Sequence, residues 1–322
     1  MQSNSKEVLD FLGKQGIHNP TFYQIKSGRN SLVWRIQDFK SQCILKLYQR
    51  HPEDSRDRVG TEFRFLQFLH ENGIKIVPKP LACDHVREFA LYSLLPGSPV
   101  KSITKSHIDQ AANFIVQVNS IRSGKASKRL PIASEACFSI KEHLKLVKKR
   151  VQTLVSIGAF SSVHQQVLEF AKKILTPAFE KVSEEINLNN LSTEEHSLKT
   201  NERILSPSDF GFHNTLQARG TLKFLDFEYA GWDDPAKLIC DFTCHPEHPV
   251  SAKQSLQFGQ KVVKSLDLQD ALLRAQILLP LYRLKWCCII LNVFIRHNQK
   301  RIEHSGDDLT HLLKLQFEKA NC

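Results

Sequence analysis

SPSDFGFHNTLQARGTLKFLDFEYAGWDDP, residues 206–235, carries the densest chemistry in the chain. Asp209 and Asn214 stand in an Asp-x-x-x-x-Asn spacing, and Asp226 closes the apolar run Leu222–Leu225. Thr215–Gln217 and Leu222–Asp226 read as the strands of a tight hairpin around Arg219-Gly220. A loop followed by a hairpin places both acids and the amide at one edge. There the first Asp suits the proton of an attacking hydroxyl. The Asn amide oxygen and the second Asp are hard ligands, suited to Mg²⁺ on nucleotide phosphates. Each element alone is unspecific, because the same residue types also serve as turn formers beside a hairpin.

Asp209-Phe210-Gly211 spells the magnesium tripeptide of protein kinases. That role would require a catalytic Asp-x-x-x-x-Asn shortly upstream. No Asp occurs between Asp109 and Asp209. Asp209 as base and Asp226 as metal ligand therefore supply the parts in order.

Working outward toward the N-terminus, Thr21 to Leu95 reads as strands interrupted by one helix. Leu32–Gln37 and Cys43–Tyr48 are β-prone runs split by a polar turn. From Asp54 to Asn72 the period changes, with Val59, Phe63, Leu66 and Leu69 on one helical face and Asn72-Gly73 as the stop. Pro78–His85 and Val86–Leu94 resemble two more strands. Lys46 is the one cation in Ile44-Leu45-Lys46-Leu47, a candidate clamp on nucleotide phosphates if not a solvated strand lysine. Glu62 is its candidate partner, or an ordinary helix acid. Ser27-Gly28-Arg29-Asn30-Ser31 is a candidate phosphate loop or a plain turn. Phe89–Leu94, ahead of Pro96-Gly97, is a candidate hinge against a purine edge.

After Pro96-Gly97 helices dominate, through 138–156, 161–187, 251–265 and 268–296. The division expected is a strand-rich lobe over 1–97 and a helical lobe over 98–322 that holds the catalytic loop and hairpin. A nucleotide is expected in the cleft between them.

The series SGRNSLVWRI, ILKLY, TEFRFLQFLHENGI, VPKPL, LLPG, SDFGFHN and LDFEYAGWDDPAKL is similar to the aminoglycoside phosphotransferase and choline kinase superfamily, in the same order, over residues 24–242. The resemblance implies an α+β, protein-kinase-like fold with a small β-rich N-lobe and a large helical C-lobe. It implies ATP or GTP as co-substrate with Mg²⁺, and transfer of the γ-phosphate to a hydroxyl of a small molecule such as a sugar, aminoglycoside or amino alcohol. Carried over singly, Asp209 resembles the base, Asn214 and Asp226 the metal ligands, and Lys46 and Glu62 the phosphate-clamping pair. Gly28, Asn30 and Ser31 resemble the phosphate loop, and Ser93 to Leu95 the hinge. The family's His-Gly-Asp is here Pro207-Ser208-Asp209. That departure keeps a second reading open, a catalytically silent nucleotide-binding module with a regulatory role.

Composition narrows the classes further. The 322 residues are 41% hydrophobic and 24% charged, which excludes disordered, collagen-like and coiled-coil chains. A net charge of +11 suits a polyanionic co-substrate. Only 101–136 is noticeably dense in basic residues, and no nucleic-acid-binding module is recognisable, so nucleic acid is not the expected partner. Ala275 to Ile295 carries Arg283 and Lys285 near its middle and reads as a core helix, so no membrane partner is expected. The eight cysteines form no Cys-x-x-Cys pair, and MQSNSKEVLDFLGKQG reads as an amphipathic helix. Reduced thiols in a cytoplasmic protein are expected. Cys240, Cys244, His245 and His248 suit packing better than zinc, since all four come from one short stretch. Asp233, Asp234 and Asp241 read as structural, with Asp241 a candidate bond to the catalytic-loop backbone.

Overall fold

The computed structural model describes residues 6–25, 31–39, 41–49, 54–189, 191, 197–295 and 309–321. The chain divides into two compact units. One comprises Met1–Ser102, Ser120–Ser134 and Pro207–Gly231; the other comprises Ile103–Asn119, Glu135–Ser206 and Trp232–Cys322. The fold is α+β.

The first unit is built on one antiparallel sheet. Helix α1 (Lys6–Lys14) precedes β1 (Thr21–Ile25), β2 (Ser31–Gln37) and β3 (Gln42–Tyr48). Helix α2 (Arg58–Glu71), β4 (Pro80–Asp84) and β5 (Phe89–Ser93) follow, and the strand order is β1-β2-β3-β5-β4. Strand alternation decides which side chains meet which helix. Trp34, Ile36, Cys43, Leu45, Phe89 and Leu91 pack on Val8, Phe11 and Leu12 of α1. The residues between them, Ile44, Lys46 and Tyr48, point to the opposite face. Register sets Ile44 against Tyr92 and Lys46 against Ala90. The small Ala90 side chain leaves room beside the lysine.

α2 begins where Asp57 accepts the Gly60 N–H at 2.8 Å, and it ends at Asn72 with Gly73 at φ 82°. Its Val59, Phe65, Leu66 and Leu69 are buried, as is Glu62 among them. The strands Thr215–Ala218 and Thr221–Phe224 pair through a turn in which Arg219 and Gly220 both have positive φ, the geometry that suits a right-handed hairpin twist. Phe224 N–H donates to Ile76 O at 2.9 Å, and Phe227 stacks on Phe65 at 5.5 Å, so the hairpin is fixed to α2 and the segment after it.

In the second unit, Pro235–Cys244 is capped by Asp234, whose carboxylate accepts the Ala236 N–H at 2.6 Å. Asp234 also takes Arg274 Nε at 2.7 Å and lies 3.1 Å from His143 Nε2, with Asp234 and His143 out of solvent. Asp241 binds Lys285 at 2.8 Å and Trp286 Nε1 at 2.8 Å, so its carboxylate goes to the helix Asp270–Ile290. The stretch Asp270–Phe294 is long and apolar enough to cross a membrane by length and composition alone. Within the unit its Leu278, Leu281, Tyr282 and Cys288 are wholly buried. Cys240 is also buried, its thiol on Ala275 O.

Candidate functional site

Lys46 is the hub of a buried charge cluster. Its Nζ lies 2.7 Å from Glu62 Oε2, 2.8 Å from Asp226 Oδ1 and 3.1 Å from Glu228 Oε2. Burying an ammonium is costly unless opposite charge meets it. Burial opposes the charge of Lys46, yet Asp226, Glu228 and Glu62 together hold it well above the usual lysine value. The site therefore joins the three sequence-predicted residues Lys46, Glu62 and Asp226, and adds Glu228.

Glu62 is held from three sides. Besides Lys46, its Oε2 accepts the Tyr48 hydroxyl at 2.5 Å, and its Oε1 accepts the Phe227 N–H at 3.2 Å. The Tyr48 and Tyr92 hydroxyls are 2.8 Å apart. Arg58, also buried, sits 3.7 Å from Glu228 Oε1 and donates to Gln49 O.

Asp226 has a backbone φ of 64°, in the left-handed region that costs a non-glycine residue energy. Burial, Glu228 and Glu62 push its carboxyl up to about 7 against the pull of Lys46. Its side chain nonetheless keeps 39% exposure, so solvent reaches the group and its charged form is less penalised than full burial implies. Three carboxylates surround one ammonium here, and one oxygen of each lies within 4.8 Å of the others. Hard oxygens in excess over their cations fit a divalent ion such as Mg²⁺.

Asp209 and Asn214 adjoin this cluster through Asn214. The Asn214 Nδ2 donates to Asp209 O at 3.1 Å, and Leu225 N–H donates to Asn214 O at 2.9 Å, one residue before Asp226. Asp209 follows Ser208 at φ 68°, and its N–H returns to Pro207 O at 3.0 Å. His213 Nε2 lies 3.2 Å from Asp209 Oδ1.

Ser93 ends β5 with its N–H on Lys79 O at 2.9 Å and its Oγ accepting Lys79 N–H at 2.8 Å. Leu95 is half-buried in the segment leading to Pro96-Gly97. Ser31 is buried at the start of β2, whereas Gly28 and Asn30 lie outside the described residues.

Sequence reading missed Glu228, Tyr48, Tyr92 and Arg58. Tyr48 stands two residues after Lys46 in one strand, a usable signal for a shared face, whereas Glu228 lies in a turn beyond the hairpin where alternation gives none. Tyr92 is found only through the β3–β5 register, which no local pattern gives.

Residues 21–153 match the model of a phosphotransferase enzyme family. Among solved structures, a spectinomycin phosphotransferase bound to ADP and spectinomycin superposes with a TM-score of 0.63 at 12% identity, over 98% of this chain and 98% of that one. The ADP-bound aminoglycoside phosphotransferase APH(2'')-Ib gives 0.58 at 18% identity, over 98% and 99%. Choline kinase from Cryptosporidium parvum gives 0.58 at 14%, over 98% and 96%. The fold is that of the aminoglycoside phosphotransferases and choline kinases. No curated protein matches the chain in sequence. The resemblance read from the ordered motifs stands, and family model and fold together support a small-molecule phosphotransferase.

Proposed function

We propose that the chain transfers the γ-phosphate of ATP or GTP to a hydroxyl of a small molecule. The observation that carries this reading is the buried Lys46 ammonium bound at once to Glu62 and Asp226, residues far apart in sequence. A lysine fixed by a helix acid is the arrangement that holds nucleotide phosphates, and an acid at a hairpin end beside it is the arrangement that holds their metal. Asn214 and Asp226 would hold Mg²⁺, with Glu228 adjacent. The ion, when bound, offsets charge on the transferring phosphoryl group.

Asp209 is the base in this reading. It orients the acceptor hydroxyl and takes its proton, at the loop that Asn214 fixes to the end of the hairpin. Phosphoryl transfer asks little covalent chemistry of the protein, so positioning and charge are its main contributions. Ser93 to Leu95 serve as the hinge for the base, and Gly28, Asn30 and Ser31 as the phosphate loop. A sugar or other polyol is the favoured acceptor class.

The test is a thermal-shift screen with Mg·ATP, Mg·GTP and candidate alcohols, followed by measurement of phosphate transfer and nucleotide hydrolysis. Stabilisation by one nucleotide, with transfer that Asp209→Asn removes, is expected. A wild-type chain that gains no stability at saturating Mg·ATP and Mg·GTP refutes the reading. Binding without transfer to any acceptor would instead mark a silent nucleotide-binding module.

A further inference from the structure

Glu62 faces a competition. Its partner Lys46 has two other carboxylates in reach, Asp226 at 2.8 Å and Glu228 at 3.1 Å. Lys46 can act on a nucleotide only if its pairing with Glu62 stays fixed while charge around Asp226 changes. Something other than the lysine must therefore set where the Glu62 carboxylate points.

Two tyrosines meet that need. Tyr48 lies two residues after Lys46 on β3, on the same face, and Tyr92 stands on the neighbouring β5. The ionised Glu62 carboxylate can only accept, so the 2.5 Å contact uses the single Tyr48 proton. The 2.8 Å contact between the two hydroxyls then has one polarity, with Tyr92 donating to Tyr48. Both rings are buried. A contact of 2.5 Å is in the short range of charge-assisted O–H···O⁻ bonds. Successive hydroxyls polarise one another in a low-dielectric interior.

We propose that Tyr92 and Tyr48 form a directed hydroxyl chain that positions Glu62, and through Glu62 fixes Lys46 for the nucleotide phosphates. The inference rests on the phosphotransferase reading. Burial and the Glu62 charge hold both phenols well above the usual tyrosine value, so both remain donors throughout the working range. Neither tyrosine touches the reacting atoms in this scheme; they are positioning residues.

The experiment compares the wild-type full chain with Tyr48→Phe, Tyr92→Phe and the double variant, each of which keeps its ring. Melting temperature, kcat and the KM for Mg·ATP are read, by transfer or by nucleotide hydrolysis. Losing a donor to a buried charge should lower kcat about tenfold for Tyr48→Phe. The KM for Mg·ATP should change less than about threefold, because positioning rather than ground-state binding is lost. Tyr92→Phe should lower kcat about threefold, since it removes only the polarisation of the first bond. The double variant should match Tyr48→Phe, because Tyr92 acts only through Tyr48.

Equal kcat in wild type and Tyr48→Phe, or independent additive effects of the two substitutions, overturns the chain. Should Tyr48→Phe fail to fold, Tyr92→Phe is tested alone and on a Glu62→Gln background. The same kcat loss in both backgrounds then overturns the proposal, and a loss confined to intact Glu62 supports it. A wild-type chain that neither binds nor turns over Mg·ATP overturns the phosphotransferase reading and this inference together. A working wild type with an unchanged Tyr48→Phe overturns the inference alone.

Discussion

Asp226→Asn should stabilise the nucleotide-free protein at neutral pH while removing transfer. Asp226 shares Lys46 with Glu62 and Glu228, and its carboxyl is pushed from 3.8 up to about 7 by burial and those two acids. An acid whose folded value is raised keeps its proton in the folded state while the unfolded chain has lost it. Stability therefore falls as pH rises from about 4 to about 7, and the loss is complete above that window. The full shift would correspond to roughly 4 kcal/mol. Because 39% of the side chain is exposed, solvent screening reduces this to about 1–2 kcal/mol. An amide mimics the neutral acid, still accepts from Lys46, and tolerates the φ of 64° that this position demands. The variant should match wild type near pH 4 in urea unfolding and exceed it by about 1–2 kcal/mol at pH 8, roughly 2–4 °C in Tm. Under the proposed function, in which Asp226 would hold Mg²⁺, transfer should fall about a hundredfold or more. Equal or lower stability of the variant at pH 8, or a gap that persists unchanged to pH 4, would show that the three acids are not crowding one another.

Asp209→Asn should lower transfer by about 10²–10⁴-fold while leaving Mg·ATP binding within a few-fold, as measured by calorimetry beside a coupled assay. Asp234→Ala should cost about 3–5 kcal/mol in urea unfolding, because it strands the buried His143 and the largely covered Arg274 and removes a helix cap. The Asp234 carboxyl is held low, with burial opposing and His143 and Arg274 prevailing. Its contribution is therefore present above pH 3.8 and is lost only as pH falls below that. Gly97→Ala should cost about 1–3 kcal/mol, since Gly97 has φ 141° and an added Cβ would stand 3.0 Å from both Gln217 O and Leu216 Cβ.

What was legible in the sequence follows from which forces are local. α2 was readable because its apolar stripe and the Asn72-Gly73 stop lie in one stretch, whereas the Asp57 cap was not read. Strand β3 was readable for the same reason, while its Lys46 stayed open between a phosphate clamp and a solvated lysine until the structure buried it. The hairpin was readable from Arg219-Gly220, whose two positive φ angles occupy the turn. The Lys46–Glu62 pairing could be guessed from order along the chain, but Asp226 as a direct partner of Lys46 could not. That contact joins residues 180 apart in sequence and depends on Phe227 docking on Phe65 and on Glu62. Tyr92 was invisible because its place is fixed by cross-strand register rather than by its neighbours in the chain. For Asp241, the sequence suggested a bond to the backbone of the Asp209 loop, because local order cannot show which distant side chains converge on a carboxylate. The buried Lys285 and Trp286 claim it.

Pro207-Ser208 leads into Asp209 through a backbone that is strained. Ser208 keeps φ at 68°, a left-handed value that glycine adopts without strain and serine does not. The cost of about 1–2 kcal/mol is offset in part by the smaller entropy loss of serine on folding, about 0.5–1 kcal/mol, and in part by its Oγ donating to Ser134 O at 3.3 Å. Here the strained residue stands directly before Asp209, a second strained residue is Asp226 itself, and Asn214 is bonded to the Asp209 backbone on one side and to Leu225 on the other. His213 approaches the Asp209 carboxylate from four residues downstream. These contacts, with the strained Ser208 and Asp226, hold the Asp209 loop against the end of the hairpin.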